Sequence, residues 1–351
     1  MSGALLIYGA NGYTGRLIVR ECLARGVRPI LSGRSAAAID AMAATLRLES
    51  RPVALDDAAA LAVALRGVSA VLHCAGPFMR TATPMLEACL ANRVHYLDIT
   101  GEIAVFEQVA GLHERAEAAG ITLLPGVGFD VVPTDCLAAH LKRRLPSATS
   151  LTLAFSGGTP PSQGTALTVI EGLGAGGAIR RDGRITGVPV AWRTRVVDFG
   201  VRERLCVTIP WGDVSTAFHS TQIPNIETYM ATSAQSVRML RLSRYLGPVL
   251  GSAPVKRFLA GRVKKGPAGP SPEALATRQS HVWGEVRDSA GHSARARPTA
   301  PSGYALTALS AVRAAVRVLG GGAPAGFVTP SKAFGADFIL EIPGTTREDI
   351  A

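Results

Sequence analysis

Gly9-Ala10-Asn11-Gly12-Tyr13-Thr14-Gly15 follows directly on the apolar run Ala4-Leu5-Leu6-Ile7-Tyr8 and opens an amphipathic pattern through Leu17, Ile18, Cys22 and Leu23. A buried strand, a glycine turn and a helix in that order restrict the fold severely. Glycines let the turn tighten and let a ligand approach the backbone, while the unpaired N–H groups and dipole of a helix N-terminus favour an anion. The spacing is G-x-x-G-x-x-G rather than G-x-G-x-x-G, so the glycines alone match loosely. Their place behind the first strand candidate makes Gly9, Asn11, Gly12, Tyr13, Thr14 and Gly15 a candidate diphosphate cradle. The plain alternative is a glycine-rich βα turn with no ligand.

The next strand candidate, Pro29–Ser32, runs into Gly33-Arg34-Ser35. A site for NAD places Asp or Glu here to accept from the ribose 2′-hydroxyl, whereas Arg receives a 2′-phosphate. Arg34, with Ser32 and Ser35 as hydroxyl donors, therefore points to NADP(H). A guanidinium stays charged and matches phosphate oxygens in a two-pronged contact. A solvated loop arginine is the competing explanation.

Strand candidates at 3–8, 29–32, 51–55, 69–74, 94–97 and 121–124 alternate with helical patterns near 13–25, 36–47, 57–66, 81–92 and 103–119. That alternation predicts a doubly wound α/β (Rossmann) domain over 1–136, with ligands at the carboxyl ends of a parallel sheet. Past Asp135 the pattern changes. Helices near 134–144 and 164–175 flank a strand at 150–156. Alternating stretches follow at 190–199, 203–209 and 216–230, with a hairpin-like pair at 279–287 and 292–297. A mixed α+β substrate domain over 137–300 is expected. Residues 266–272 read as a linker by composition, and 304–319 as a strong helix with a short capped element after Thr329.

Residues behind the strands carry the candidate chemistry. Cys74, Ala75, Gly76, Pro77 and Phe78 follow strand four, where backbone comes close to a cofactor. Asp98 and Thr100 follow strand five, and Gly126–Asp135 follows strand six. Asp98 and Asp135 are equally readable as helix N-caps. Glu102 reads as a partner in a first-turn cap, and Asp130 as the carboxylate that orients substrate or an active-site arginine. Asp213 and His219 are the only proton-donor suggestions in the second domain.

With 47% hydrophobic and 18% charged residues over 351 positions, the chain is globular. Five scattered cysteines, none in C-x-x-C spacing, read as small buried hydrophobes of a reducing compartment. Seven histidines show no metal-ligand spacing, so no metal is expected. Neither a cleaved leader nor a spanning helix is predicted, and the expected location is the cytoplasm. The net charge of +11 is concentrated. Thr228–Pro272 holds no acidic residue yet contains Arg238, Arg241, Arg244, Lys256, Arg257, Arg262, Lys264 and Lys265. Sparse aromatics and the lack of a nucleic-acid motif argue against DNA or RNA. Peripheral membrane contact through 238–265 is the alternative partner.

Taken together, Gly9–Gly15, Gly33-Arg34, Gly76-Pro77-Phe78, Tyr96–Glu102 and Gly128–Asp135 resemble the saccharopine dehydrogenase-like oxidoreductases, above all the short bacterial branch that includes trans-acting enoyl reductases. Pro210–Asp213, Ser220–Asn225, Gly269–Ser271, Gly303-Tyr304 and Thr329–Ser331 extend the likeness over nearly the whole chain. The resemblance implies a Rossmann domain, an inserted α+β domain, and a C-terminal helical segment, 301–351, returning to the first. It leaves the substrate open. Short-chain reductases are disfavoured, because none of the tyrosines has a lysine four positions later.

Hydride transfer from NADPH to an activated double bond is the expected reaction, with substrate between the sheet edge and the second domain. Conjugate reduction of an enoyl thioester develops charge on the thioester oxygen, for which Thr100, Gly101 and Gly126–Gly128 are the expected donors. Reduction of an amino-acid imine instead asks Asp98 or Asp130 to steady positive charge. The apolar, small-residue stretch Leu167–Ile179 and the basic segment favour an acyl substrate, free or carrier-bound. A non-catalytic NADP-binding protein is the remaining alternative, and the oligomeric state stays open.

Overall fold

The computed structural model describes residues 3–157 and 159–350, which fall into two compact units. One unit takes 1–130 and 304–334, the other 131–303 and 335–351. Residues 1–2, 158 and 351, which fall within the expected segments, lie outside the described residues.

The first unit opens with β1 (Ala4–Tyr8), α1 (Tyr13–Ala24), β2 (Ile30–Ser32), α2 (Ala36–Leu46), α3 (Ala58–Ala64), β3 (Val68–His73) and α4 (Phe78–Asn92). It continues through β4 (His95–Asp98), α5 (Ile103–Ala110), α6 (His113–Ala119) and β5 (Thr122–Leu124). Its strands are short and apolar on both faces; Leu5, Leu6, Ile7, Val71, Leu72, Leu97 and Leu123 are all buried. Such strands require helices on each side, which is why they form a parallel sheet. The order runs β2-β1-β3-β4-β5, and every pairing is parallel. Chain direction across the sheet reverses between β1 and β3, the switch point at which doubly wound sheets open a ligand crevice.

Residues 51–55 were expected as a strand of this sheet and are not one. Only a single bridge, Leu31 to Ser50, joins this stretch to β2, followed by the Arg51 and Val53 N–H groups on the Leu31 and Gly33 carbonyls. Pro52 has no N–H to give, and the Arg51 guanidinium turns away to the Ala64 and Arg66 carbonyls. The sheet's sixth strand instead comes from far downstream, at Gly326–Phe327 beside β5. The helix expected over 103–119 is broken at Gly111-Leu112 into α5 and α6.

The second unit begins with α7 (Val132–Arg144), β6 (Ser150–Ser156), α8 (Gln163–Glu171), β7 (Gly177–Arg181), β8 (Arg184–Val188), β9 (Thr194–Asp198) and β10 (Glu203–Thr208). Next come α9 (Asp213–Thr221), β11 (Asn225–Ala231), α10 (Ala234–Ser243), a 3₁₀ turn at Arg244–Leu246, α11 (Gly247–Leu250) and α12 (Ala253–Lys264). Then follow α13 (Pro272–Thr277), β12 (Gln279–Arg287) and β13 (Ser293–Pro301). The chain re-enters the first unit with α14 (Gly303–Leu319), β14 (Gly326–Phe327) and α15 (Pro330–Phe334). It ends in β15 (Thr346–Ile350).

The second sheet is mixed, in the order β15-β13-β12-β6-β11-β10-β9, with β6 and β11 its parallel pair and a β7–β8 hairpin attached to β11. Two expectations change here. The alternation over 216–230 spans a helix and a strand, α9 and β11, because Val214, Ala217 and Thr221 form a buried helical stripe. The hairpin β7–β8 went unforeseen, although Asp182-Gly183 at its turn takes the two positive φ values, 48° and 77°, that such dipeptides favour. The C-terminal segment 301–351 also divides. Residues 304–334 belong to the first unit, while β15 pairs antiparallel with β13 in the second.

Candidate functional site

The loop from Gly9 to Gly15 is fastened from below. The N–H groups of Gly9 and Ala10 both donate to the Ser32 carbonyl, at 2.9 and 3.2 Å, and Gly12 N–H donates to Gly9 O at 3.0 Å. Gly9 stands at φ 81°, a conformation that side chains resist. A Cβ on Gly15 would fall 2.2 Å from the Gly9 carbonyl oxygen, so only glycine permits α1 to start this close to β1. No side chain caps α1 at Gly12, which is exposed. The result is a helix N-terminus open to an anion. Arg16 Nε donates to Asn11 O at 3.0 Å and stiffens the loop, while the Tyr13 ring meets Tyr304 of α14 edge-on at 5.2 Å.

At the end of β2 the expected anion-binding trio separates. Arg34 and Ser35 are exposed, with Ser35 at the N-cap of α2. Ser32 is buried, and its hydroxyl donates to Arg51 O at 2.7 Å. Ser32 thus supports the loop through its carbonyl, and Arg34 with Ser35 presents the exposed donors.

Behind β3, Cys74 N–H donates to Tyr8 O at 2.8 Å and keeps Cys74–Phe78 alongside the glycine loop. Ala75 lies so close that a Cβ on Gly9 would stand 2.9 Å from it. The Gly76–Pro77 peptide is cis. Thr81 Oγ1 donates to Ala75 O at 2.7 Å, and His73 Nε2 lies 3.0 Å from that hydroxyl. Burial holds the His73 imidazole down at about 3, so the ring is neutral at physiological pH. It therefore lends Thr81 a hydrogen bond without a charge. The Cys74 thiol is pushed up by burial and is no nucleophile.

Glu102 supplies what the Phe78 end of α4 lacks. Its two carboxylate oxygens accept from Phe78 N–H and Met79 N–H, each at 2.8 Å. Glu102 thus caps α4 from a distant loop, a first-turn partner as expected, yet for another helix than the one it precedes.

Asp98 is fully buried at the end of β4. Its Oδ2 accepts from Tyr96 Oη at 2.7 Å, and its Oδ1 from Thr100 N–H at 3.0 Å and Gly126 N–H at 2.9 Å. Its carbonyl accepts from Val127 N–H at 2.8 Å. Burial raises its pKa to about 6, with the three hydrogen bonds pulling the other way. Asp98, expected as a catalytic carboxylate, is held by these bonds as a strap joining the ends of β4 and β5. Thr100 is likewise committed: it is buried and its Oγ1 accepts from Glu102 N–H at 3.1 Å. With Thr100 N–H and Gly126 N–H spent on Asp98, the expected donors to a developing oxyanion contract to Gly101 and Gly128.

Asp130 closes the loop after β5. Its carboxylate lies against Gly101, where a Cβ would be 2.8 Å from Oδ2. Burial, then the neighbouring negative charge of Glu102, raises its pKa to about 7. A carboxyl group poised there exchanges a proton at neutral pH. Two residues that the sequence reading passed over hold this loop in place. Thr307 Oγ1 accepts from Phe129 N–H at 3.0 Å, and Ser310 Oγ donates to Val127 O at 2.7 Å. The available signal was their position: both interrupt the buried apolar face of α14.

The remaining candidates lie in the second unit. Asp135 is buried in the first turn of α7 and accepts from the Ser220 hydroxyl of α9. Asp213 and His219 stand in the first and last turns of α9. Among the described residues, no group of three His, Cys, Asp or Glu is placed to hold a metal ion.

Comparison with known proteins adds to this geometry. Residues 5–124 match the family model of the saccharopine dehydrogenase NADP binding domain. A trans-acting enoyl reductase of Mycobacterium leprae is 32% identical over 150 residues, covering 40% of this chain and 36% of that protein. A probable mitochondrial saccharopine dehydrogenase-like oxidoreductase of Arabidopsis thaliana is 30% identical over 148 residues, covering 37% and 33%. The aligned stretch spans about a third of the length of these curated relatives. The fold is similar to saccharopine dehydrogenase (L-Glu forming) from Saccharomyces cerevisiae, with a TM-score of 0.67 at 12% identity over 99% of this chain and 100% of that one. Homospermidine synthase from Legionella pneumophila, solved with NAD, gives 0.63 at 10% identity over 100% and 92%. The family match ends at residue 124, so the motifs from Pro210 onward lie outside it.

Proposed function

We propose, on the premise that residues 5–124 are a saccharopine dehydrogenase NADP binding domain, that the chain is an NADP(H)-dependent oxidoreductase acting on an enoyl or acyl thioester. One observation carries the reading. The uncapped, glycine-only start of α1 and the exposed Arg34 follow the adjacent parallel strands β1 and β2. The residues fit the dinucleotide. Gly9–Gly15 would hold the diphosphate at the α1 N-terminus, Arg34 and Ser35 the 2′-phosphate, and Cys74–Phe78 would line the path beyond. When bound, NADPH supplies the hydride.

The chain's own groups supply the rest. Gly101 N–H and Gly128 N–H offer donors for charge developing on a thioester oxygen. Asp130, raised to about 7, holds a proton that it can pass to the substrate carbon. Asp98 and Glu102 fix the two loops on which these groups stand. An Asp130 carboxyl that still carries its proton in part at neutral pH suits conjugate reduction better than the steadying of an iminium charge.

Titrating the purified chain with NADPH and following nucleotide fluorescence tests the premise. Steady-state oxidation of NADPH with an enoyl thioester, or with an amine and an oxo acid, then separates the two substrate classes. Turnover of the thioester alone is expected. Turnover of the amine and oxo acid alone would make the imine reading correct, and binding without either reaction would leave an NADP-binding protein with no catalysis of its own.

A further inference from the structure

The basic segment of the second unit carries more than charge. Met239, Leu242, Tyr245, Leu246, Val249 and Phe258 are each more than half exposed, Tyr245 at 85% and Phe258 at 64%. They lie on α10, the 3₁₀ turn, α11 and α12, four consecutive elements. The core does not explain them. The inward side of α10 is already filled by Val237, with Leu240 packed against Ala191 and Val207. Met239, Leu242 and Leu246 follow at helical spacing on another face.

The cations fall into two groups. Arg244 donates to the Val190 and Ala191 carbonyls, and Lys256 to Glu171 O at 2.6 Å; these two fasten the segment to its own unit. Arg238, Arg241, Arg257, Arg262, Lys264 and Lys265 are exposed, and among the described residues none of them has an ion-pair partner. Thr228–Pro272 contains no acidic side chain to neutralise them.

The geometry points to peripheral binding of an anionic lipid surface by α10–α12, with these apolar side chains entering the headgroup layer and the six cations facing the phosphates. An amphipathic surface of this composition is drawn to anionic lipid by both terms at once. Scattered protruding side chains suit a fluid bilayer, which needs no matching shape, better than a folded acidic protein, which does. No helix among the described residues is long and apolar enough to cross a membrane, so the contact is interfacial. This inference is independent of the cofactor reading and survives its failure.

Flotation tests it, with the full chain and two kinds of vesicle: phosphatidylcholine alone, and phosphatidylcholine mixed with phosphatidylglycerol. The chain should float with the mixed vesicles only, and less as salt is added. The triple variant Arg238→Glu, Arg241→Glu, Arg262→Glu should lower partitioning at least on the order of a hundredfold, from about fivefold for each cation lost and a further loss for each carboxylate gained. A second variant, Leu242→Ser, Tyr245→Ser, Phe258→Ser, should lower it as well at unchanged charge. An unchanged circular dichroism spectrum and an unchanged thermal unfolding midpoint show that each variant remains folded. Equal flotation with both vesicles, or none, overturns the proposal. So does an apolar variant that floats like the unaltered chain, a result that would leave charge-directed docking of an acidic protein.

Discussion

Glu102 and Phe78 are 24 positions apart, yet the Glu102 carboxylate accepts the Phe78 N–H at 2.8 Å. The same carboxylate caps α4 and raises the pKa of Asp130. One side chain therefore holds the loop behind β3 and adds to the rise that burial gives the Asp130 pKa behind β5. Glu102→Gln should separate these roles. Loss of the charged cap costs about 1 kcal/mol, within the usual range for helix caps. Removing the charge should also lower the Asp130 pKa. Thermal unfolding reads the first effect, and the pH profile of turnover the second.

Asp130→Asn should abolish most turnover and leave NADPH affinity within about twofold, since the amide cannot give up a proton. In the unaltered protein, activity that depends on protonated Asp130 should fall as pH rises through about 7. A rate that stays flat from acid to mild alkali would remove Asp130 from the reaction.

Burial raises the folded-state pKa of Asp98 to about 6 and of Asp130 to about 7, both above the ordinary 3.8. The folded protein then binds more protons than the unfolded chain between those values, so stability declines as pH climbs through the window. Chemical denaturation from pH 4 to pH 8 should show that decline. An Asp98→Asn variant should flatten the lower part of it, since Asn accepts from Thr100 and Gly126 as Asp does. Asp98→Ala strands three donors and should lose several kcal/mol, at roughly 1–3 for each unpaired buried group.

Arg34→Ala should weaken NADPH binding by roughly 1.5–3 kcal/mol, the usual worth of a hydrogen bond to a charged group, and scarcely change NADH. Equal losses for both nucleotides in a calorimetric titration would detach Arg34 from the 2′-phosphate.

Gly15→Ala places a methyl carbon 2.2 Å from the Gly9 carbonyl oxygen, a separation that backbone atoms cannot tolerate. The loop must shift, and NADPH binding should be lost together with much of the stability of α1. A variant that still binds with native affinity would show that the cradle lies elsewhere.

Where local pattern and tertiary need agreed, the chain was readable. Five parallel strands, the turn at Gly9–Gly15 and the helix at 303–319 follow from apolar runs and punctuation within a few residues. Residues 51–55 misled because Val53 and Leu55 look strand-like, while the stretch makes only the Arg51 and Val53 N–H bonds to the Leu31 and Gly33 carbonyls after the Leu31–Ser50 bridge. β14 is two residues long and carries no periodicity; its pairing with β5 rests on the Gly326 and Val328 N–H groups donating to the Ile121 and Leu123 carbonyls, helped by Thr122 Oγ1 donating to Pro324 O. The site showed the same division. Asp98, Thr100, Glu102 and Asp130 stood out as polar residues behind strands, but which of them is strap, cap or proton carrier depends on partners that sequence spacing does not encode. Thr307 and Ser310 were hidden because they act across more than 170 positions.

The arrival of β14 beside β5 also dictates an order of events during synthesis. Until residues 326–327 leave the ribosome, the outer edge of β5 has no partner, although the cradle at Gly9–Gly15 was translated long before. A fragment ending at Asp130 would keep the nucleotide loop but expose that bare edge, and would also lack the Thr307 and Ser310 latches on 127–129. Shortened versions of the first unit should therefore be sticky and self-pairing, and a soluble minimal version needs 304–334 fused behind 130.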